Sequence, residues 1–152
     1  MADNATADRE LVLTRVVNAP RERVWKAFTD PKEVAVWWGP NGFSNTIHEM
    51  EVKVGGVWRF MMHGPDGVDY PNKIVYTKIV EPERLEYDHS GDGNPDLDAF
   101  KTSITFEDLG GKTKVTLRTV FTSVEERDRQ ATFAVEGGNQ TLGRLADFVV
   151  KH

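Results

Sequence analysis

The sequence has no cysteine among its 152 residues. Disulfides, thiolate metal sites and cysteine nucleophiles are therefore excluded. It has no excess of positive charge. Nineteen Lys and Arg stand against 24 Asp and Glu, a formal net charge of −5. Binding of nucleic acid, which calls for a basic face, is not expected. No apolar run approaches the roughly 18 residues of a membrane span, so none is expected. The opening stretch MADNATADRE is polar and acidic, without the apolar segment of a secretory signal. A soluble cytoplasmic protein is the expectation, with residues 1–8 as a flexible tail.

Catalytic signatures are also missing. There is no GxSxG, no phosphate-binding loop, no GxGxxG and no HExxH. The histidines His48, His63, His89 and His152 show neither HxH nor HxxxH spacing, so no metal site and no cofactor is expected. The run Asp92-Gly-Asn94-Pro-Asp96-Leu-Asp98 begins like a calcium loop. Leu97 stands where that loop needs glycine and Ser103 where it needs glutamate. It reads as a solvated acidic hairpin.

What is present fits one globular domain spanning 1–152. Hydrophobic residues make up 39% and charged residues 28%, and the length allows one real core. ELVLTRVV alternates like a first strand over 10–17. Pro20 then suits the first turn of a helix with an apolar face at Val24, Ala27 and Phe28. DPKE restarts a second short helix, with Asp30 as N-cap and Pro31 at its first position. WWGPNGF ends it. From Thr46 the period changes to two. Strands are expected at 46–54, 57–62, 73–80, 85–89, 100–106 and 114–121. Gly55-Gly56 reads as a two-residue hairpin link, and GPDG, EPER and LGG mark further turns. Ser123 and Glu126 form a capping box for a last helix running to about residue 149, roughly 40 Å.

This order predicts an α+β fold: a curved antiparallel sheet of about seven strands, covered by the only element long enough to cover it. The helical stripe facing the sheet contains Ala131, Ala134, Thr141, Leu142, Leu145, Phe148 and Val149. Gly137 and Gly138 fall inside that stripe, each costing about 1 kcal/mol against alanine.

Strand alternation proposes the facing residues. They are His48, Met50 and Val52; Trp58, Phe60 and Met62; Leu85 and Tyr87; Phe100, Thr102, Ile104 and Phe106; and Val115, Leu117, Thr119 and Phe121. Such a lining, rich in aromatics and methionine with a few hydroxyls, suits a small-molecule pocket. It equally suits a filled core. The glycines favour a space beside them, unless Trp37, Trp38 or Phe60 fills it. Candidate pocket residues are thus Trp37, Trp38, Phe43, His48, Met50, Trp58, Phe60, Met62, Tyr76, Tyr87, Phe100, Thr102, Leu117, Phe121, Ala134, Gly137, Gly138, Thr141 and Leu142. Polar groups that could meet there are His48, His63, Tyr76, Tyr87, His89 and Thr102, either orienting a ligand or acting in acid–base chemistry.

Four segments carry a resemblance: NAPRERVWKAFTDPKEVAVWWGP, VGGVWRFMMHGPDG, IVEPERLEYD and QTLGRLADFV. In this order they resemble the Activator of Hsp90 ATPase homologue 1-like family of the START-like, Bet v 1-like helix-grip superfamily, over about residues 11–150. The resemblance implies a curved sheet gripping a long C-terminal helix, with two short helices after the first strand. It implies a sheet–helix cavity that in the superfamily holds lipids, sterols, polyketides or other apolar molecules. The family name implies stimulation of a chaperone ATPase, an activity of two-domain members whose second domain this chain is expected to lack. Many relatives carry Trp after the first glycine of the last helix; here that position is Gly138.

Three readings follow. The first is a binding protein for a small apolar ligand, as monomer or homodimer. The second is an interaction protein docking on a chaperone or other partner through Trp37, Trp38 and Phe43. The third is a small enzyme using His48 or His63.

Overall fold

The computed structural model describes residues 9–91, 100–121 and 123–151, apart from the side chain of Phe133. The proposed tail at 1–8 and the calcium-like loop fall outside the described residues. The elements run β1 (Glu10–Val17), α1 (Arg21–Thr29), α2 (Pro31–Trp37), β2 (Ser44–Met50), β3 (Val57–His63), β4 (Asp69–Val80), β5 (Arg84–Gly91), β6 (Phe100–Asp108), β7 (Thr113–Val120) and α3 (Val124–Lys151). The seven strands form one antiparallel sheet in the order β1-β7-β6-β5-β4-β3-β2. The two short helices carry the chain from one sheet edge to the other, and α3 returns across the same face. This is the expected helix-grip α+β architecture.

Local chemistry sets the boundaries. Asp30 caps α2 by accepting from the Lys32 backbone N–H at 2.9 Å, with Pro31 next in line. Ser123 Oγ accepts from the Glu126 N–H at 3.1 Å and opens α3. The Glu126 carboxylate meets Arg129 and Gln130. Pro20 is the N-cap of α1 rather than a first-turn residue. Its carbonyl accepts from Arg23 and Val24, so the ring sits where no donor is required.

Two expectations about β2 need correction. The pairing shifts register between Ile47 and Glu49, so Ile47 lies opposite Phe60 and Glu49 opposite Arg59. This bulge at His48 inverts the alternation before it. Ile47 joins Met50 and Val52 against the core, and His48 is exposed on the outer face. Nor do Gly55 and Gly56 form a two-residue hairpin. β2 ends at Met50 and β3 starts at Val57, leaving the connection 51–56. Gly55 has φ +82°, and a Cβ on Gly56 would lie 2.1 Å from the Glu51 carbonyl oxygen. Both positions need glycine, but for a longer turn.

The packed core lies under α1, α2 and the C-terminal half of α3. Trp25 and Phe28 meet Phe106 edge-on at 5.5 and 5.2 Å between centroids. Trp37 is buried and donates from Nε1 to the Ala27 carbonyl at 2.9 Å. Leu142, Leu145, Phe148 and Val149 of α3 are buried in the same cluster. No helix among the described residues is long and apolar enough to cross a membrane.

Candidate functional site

The stripe of α3 is not buried along its whole length. Ala134, Gly137, Gly138 and Thr141 are only half-buried, in contrast to the four large residues that follow. The sheet runs on beneath them. Between the two lies a cavity of about 270 Å³.

Three walls enclose it. The sheet supplies Met62 from β3, Tyr87 and His89 from β5, Phe100 and Thr102 from β6, and Leu117 and Thr119 from β7. These are the inward positions at one end of each strand. At the other end the same alternation gives Ile104, Phe106 and Val115, all fully packed. The helix supplies Ala134, Gly137, Gly138 and Thr141, and the loop after α2 supplies Trp38, Gly39 and Pro40. The described lining carries no acidic side chain, Lys or Arg.

The glycines act differently from one another. A Cβ on Gly137 would touch only Pro40, at 3.4 Å, an ordinary contact. A Cβ on Gly138 would lie 2.3 Å from Leu13 Cδ1, with Leu117 Cδ2 at 4.0 Å. Gly138 therefore lets β1 approach the helix as well as bordering the cavity. Trp38 forms part of one wall. Its ring is buried, 5.0 Å from Trp58.

The loop wall is strapped to the helix. The Arg144 guanidinium donates to the carbonyls of Val36 (2.9 Å), Trp38 (3.2 Å), Gly39 (3.0 Å) and Pro40 (2.9 Å). Carbonyls at a helix C-terminus lack intrahelical partners and attract a cation. Partial burial pulls the Arg144 pKa down. Gln140 Oε1 adds a bond from the Asn41 N–H at 3.0 Å. α2, its loop and α3 are thereby joined at the cavity mouth.

Among the polar lining groups, His89 is held by a short relay. Its Nε2 meets Asn72 Oδ1 at 2.8 Å, and Asn72 Nδ2 donates to the Tyr70 carbonyl at 2.8 Å. Burial pulls the imidazole pKa down to about 4, so the ring is neutral at neutral pH. Burial pushes the Tyr87 phenol up; proximity to Tyr76 adds to this and the Thr102 hydroxyl opposes it. Burial likewise raises Tyr76, whose hydroxyl has no hydrogen-bond partner among the described residues. Thr141 Oγ1 donates to the Gly137 carbonyl at 2.8 Å.

The structure brings together Trp38, Met62, Tyr87, Phe100, Thr102, Leu117, Ala134, Gly137, Gly138 and Thr141 around this space. Others expected there lie elsewhere. Trp37, Trp58, Phe60, Tyr76, Phe121 and Leu142 are buried outside the lining. Met50 packs at the core margin. Phe43 stands 5.9 Å from Tyr70, and His48 faces outward. The lining also includes Gly39, Pro40, His89 and Thr119. Strand alternation already puts Thr119 on the inward face and His89 is among the polar groups expected to meet there, although neither is among the candidate pocket residues. One further step of the β5 parity from Tyr87 reaches His89. Only the tertiary fold brings in the loop.

The alternative sites fare differently. Trp37 and Trp38, required as an exposed docking patch, are buried. His63 lies between Thr46 Oγ1 and Asp69 Oδ1, both at 2.7 Å. That connectivity matches a hydroxyl–base–carboxylate relay, but it sits on an open outer strand surface with exposed partners. A second concavity on the outer face of the sheet is lined by Arg84, Glu86, Asp88, Lys101 and Arg118. Ion pairs Arg84–Glu86 and Lys101–Asp88 cross it. Among the described residues, no group of three or more His, Asp or Glu is placed to hold a metal ion.

Solved structures share the fold. A protein from Arthrobacter aurescens is 25% identical with a TM-score of 0.89, over 97% of this chain and 89% of that one. A protein from Chromobacterium violaceum is 27% identical with a TM-score of 0.79, over 93% and 96%. The AHSA1 protein of Silicibacter pomeroyi, 19% identical with a TM-score of 0.76 over 94% and 99%, shares the fold alone. Comparison with curated proteins gives no match. The profile of the family described as Activator of Hsp90 ATPase homolog 1-like protein matches residues 18–149, and the chain belongs to that family.

Proposed function

We propose that this protein binds a small, neutral, predominantly apolar molecule in the cavity between the sheet and α3. One observation carries the reading: about 270 Å³ of space lies where the helical stripe turns to small residues, inside an uncharged described lining. A cavity of roughly 150 Å³ holds benzene, so a two-ring molecule is the matching size. Burying its apolar surface would supply the affinity, at about 25 cal/mol per Å² before the costs of association.

The family description names activators of the Hsp90 ATPase. A chaperone-docking role through the WWGP tryptophans is disfavoured here by their burial.

The test uses native mass spectrometry of the purified protein and NMR titration with 2-methylnaphthalene. The expected result is 1:1 binding that shifts the amides of Gly137, Gly138 and Thr119. Ala134→Trp should fill the space and weaken binding at least tenfold while the protein stays folded. Ala134 is the better site for this than Gly138, where even a Cβ would displace the Leu13 side chain. No binding, or equal binding to the filled variant, would refute the proposal.

A further inference from the structure

The hydrogen-bond relay at His89 specifies which nitrogen of the ring is bare. The Tyr70 carbonyl oxygen can only accept, so it must face the amide –NH₂ of Asn72, as the 2.8 Å contact from Nδ2 shows. Asn72 Oδ1 therefore faces His89. A carbonyl oxygen cannot donate, so the proton of the 2.8 Å contact must sit on His89 Nε2. Desolvation beside the cavity holds the imidazole pKa down to about 4, so the ring is neutral at pH 7, and a neutral imidazole has one N–H. Nδ1 is then a lone-pair acceptor, and among the described residues it has no hydrogen-bond partner. The ring is enclosed by protein on its sides, with Phe100 4.7 Å and Phe60 6.1 Å away between centroids. Yet it remains half-accessible, because it borders the cavity.

Apart from the Trp38 indole N–H, which can only donate, and the weakly accepting Met62 sulfur, the other polar side chains of the described lining are hydroxyls, which can both donate and accept. His89 Nδ1 can only accept. A ligand carbonyl or ether oxygen placed against it would set lone pair against lone pair, and a methyl group would leave a polar atom unpaired. From this we infer that the cavity selects a neutral apolar ligand carrying one hydrogen-bond donor, a hydroxyl or N–H, which is bound by His89 Nδ1. The inference rests on the cavity being the binding site, and Asn72 acts as a positioning residue that fixes the tautomer. No charged side chain of the described lining competes for the donor.

The experiment compares 2-naphthol with 2-methylnaphthalene, which differ by a hydroxyl in place of a methyl, by NMR titration at pH 7. In the wild-type protein 2-naphthol should bind at least as tightly, although water solvates it better. His89→Leu should then shift the ratio of the two dissociation constants about tenfold against 2-naphthol, the ordinary strength of one hydrogen bond. A readout without any variant comes from the imidazole ¹⁵N resonances. Nε2 should appear protonated and Nδ1 bare, and only 2-naphthol should move the Nδ1 resonance. If both probes bind in the cavity, an unchanged ratio in the variant or an unmoved Nδ1 overturns the donor inference alone. If neither binds, the cavity reading fails and takes the inference with it. A protonated Nδ1 in the free protein also overturns it.

Discussion

The two halves of α3 lie over one sheet and do opposite things to it. From Leu142 onward the helix presents Leu145, Phe148 and Val149, which are buried in one cluster with Ile104, Phe106 and Val115. Before Leu142 it presents Ala134, Gly137, Gly138 and Thr141, and a cavity opens against Phe100, Thr102, Leu117 and Thr119. The strands are equally well formed at both ends. The difference lies in side-chain volume on the helix. Where large residues meet large residues, burial stabilises the fold. Where small residues face a curved sheet, the helix stays at its distance and a space is left. One continuous helix thus holds a packed half and a cavity-bordering half in fixed relation.

The largest contrast is expected from leucine truncations at the two ends. Leu145 has 0% exposure, so Leu145→Ala should cost about 2–5 kcal/mol, because a new cavity forms in close-packed surroundings. Leu117 already borders empty space. Leu117→Ala loses fewer contacts and should cost roughly 1–2 kcal/mol. Urea denaturation with a constant m-value measures both. Equal losses would mean that the open half is packed in solution, and the division of the helix would fall.

The sequence showed this division only in part. The capping signals, the period-two strands and the helical stripe were enough for the architecture, because each rests on local spacing. The stripe also placed Gly137 and Gly138 toward the sheet. What local spacing could not reveal was parity across a defect. The bulge at His48 shifts the register by one residue, and one residue is enough to move a side chain to the other face. For the same reason Ile47 was missed. Trp37, Trp58 and Phe60 have the right face but the wrong end, and alternation says nothing about position along a curved sheet. The loop residues Gly39 and Pro40 reach the cavity through Arg144, a contact spanning more than a hundred positions.

Arg144 sits where the two halves meet, and its removal is the next largest effect. Arg144→Met keeps much of the stem but removes donors to four carbonyls. A loss of about 1–3 kcal/mol is expected, since charged hydrogen bonds are the stronger kind and some carbonyls lie partly buried. Lysine cannot reproduce a fork that reaches four acceptors, so Arg144→Lys should recover less than half of the loss. Hydrogen exchange at the amides of 38–43 should quicken in both variants, while the amides around Leu145 stay protected until global unfolding. Loss of protection at both places together would mean that the mouth and the packed half open as one unit.

The smallest effect separates the two glycines. Each should gain about 0.5–1 kcal/mol of helix propensity on replacement by alanine. At Gly137 the new Cβ meets only Pro40 Cγ, at 3.4 Å, so Gly137→Ala should deliver most of that gain. At Gly138 it would lie 2.3 Å from Leu13 Cδ1, and the leucine must turn away. That rearrangement offsets the gain, and Gly138→Ala should fall within a few tenths of a kcal/mol of the wild type or below it. The turned leucine should also alter the cavity, shifting the Leu13 and Leu117 methyl resonances in Gly138→Ala but not in Gly137→Ala. If both variants stabilise equally and leave those methyls unmoved, Gly138 is not held to glycine by the approach of β1. The small residues of the cavity-bordering half would then answer to the cavity alone.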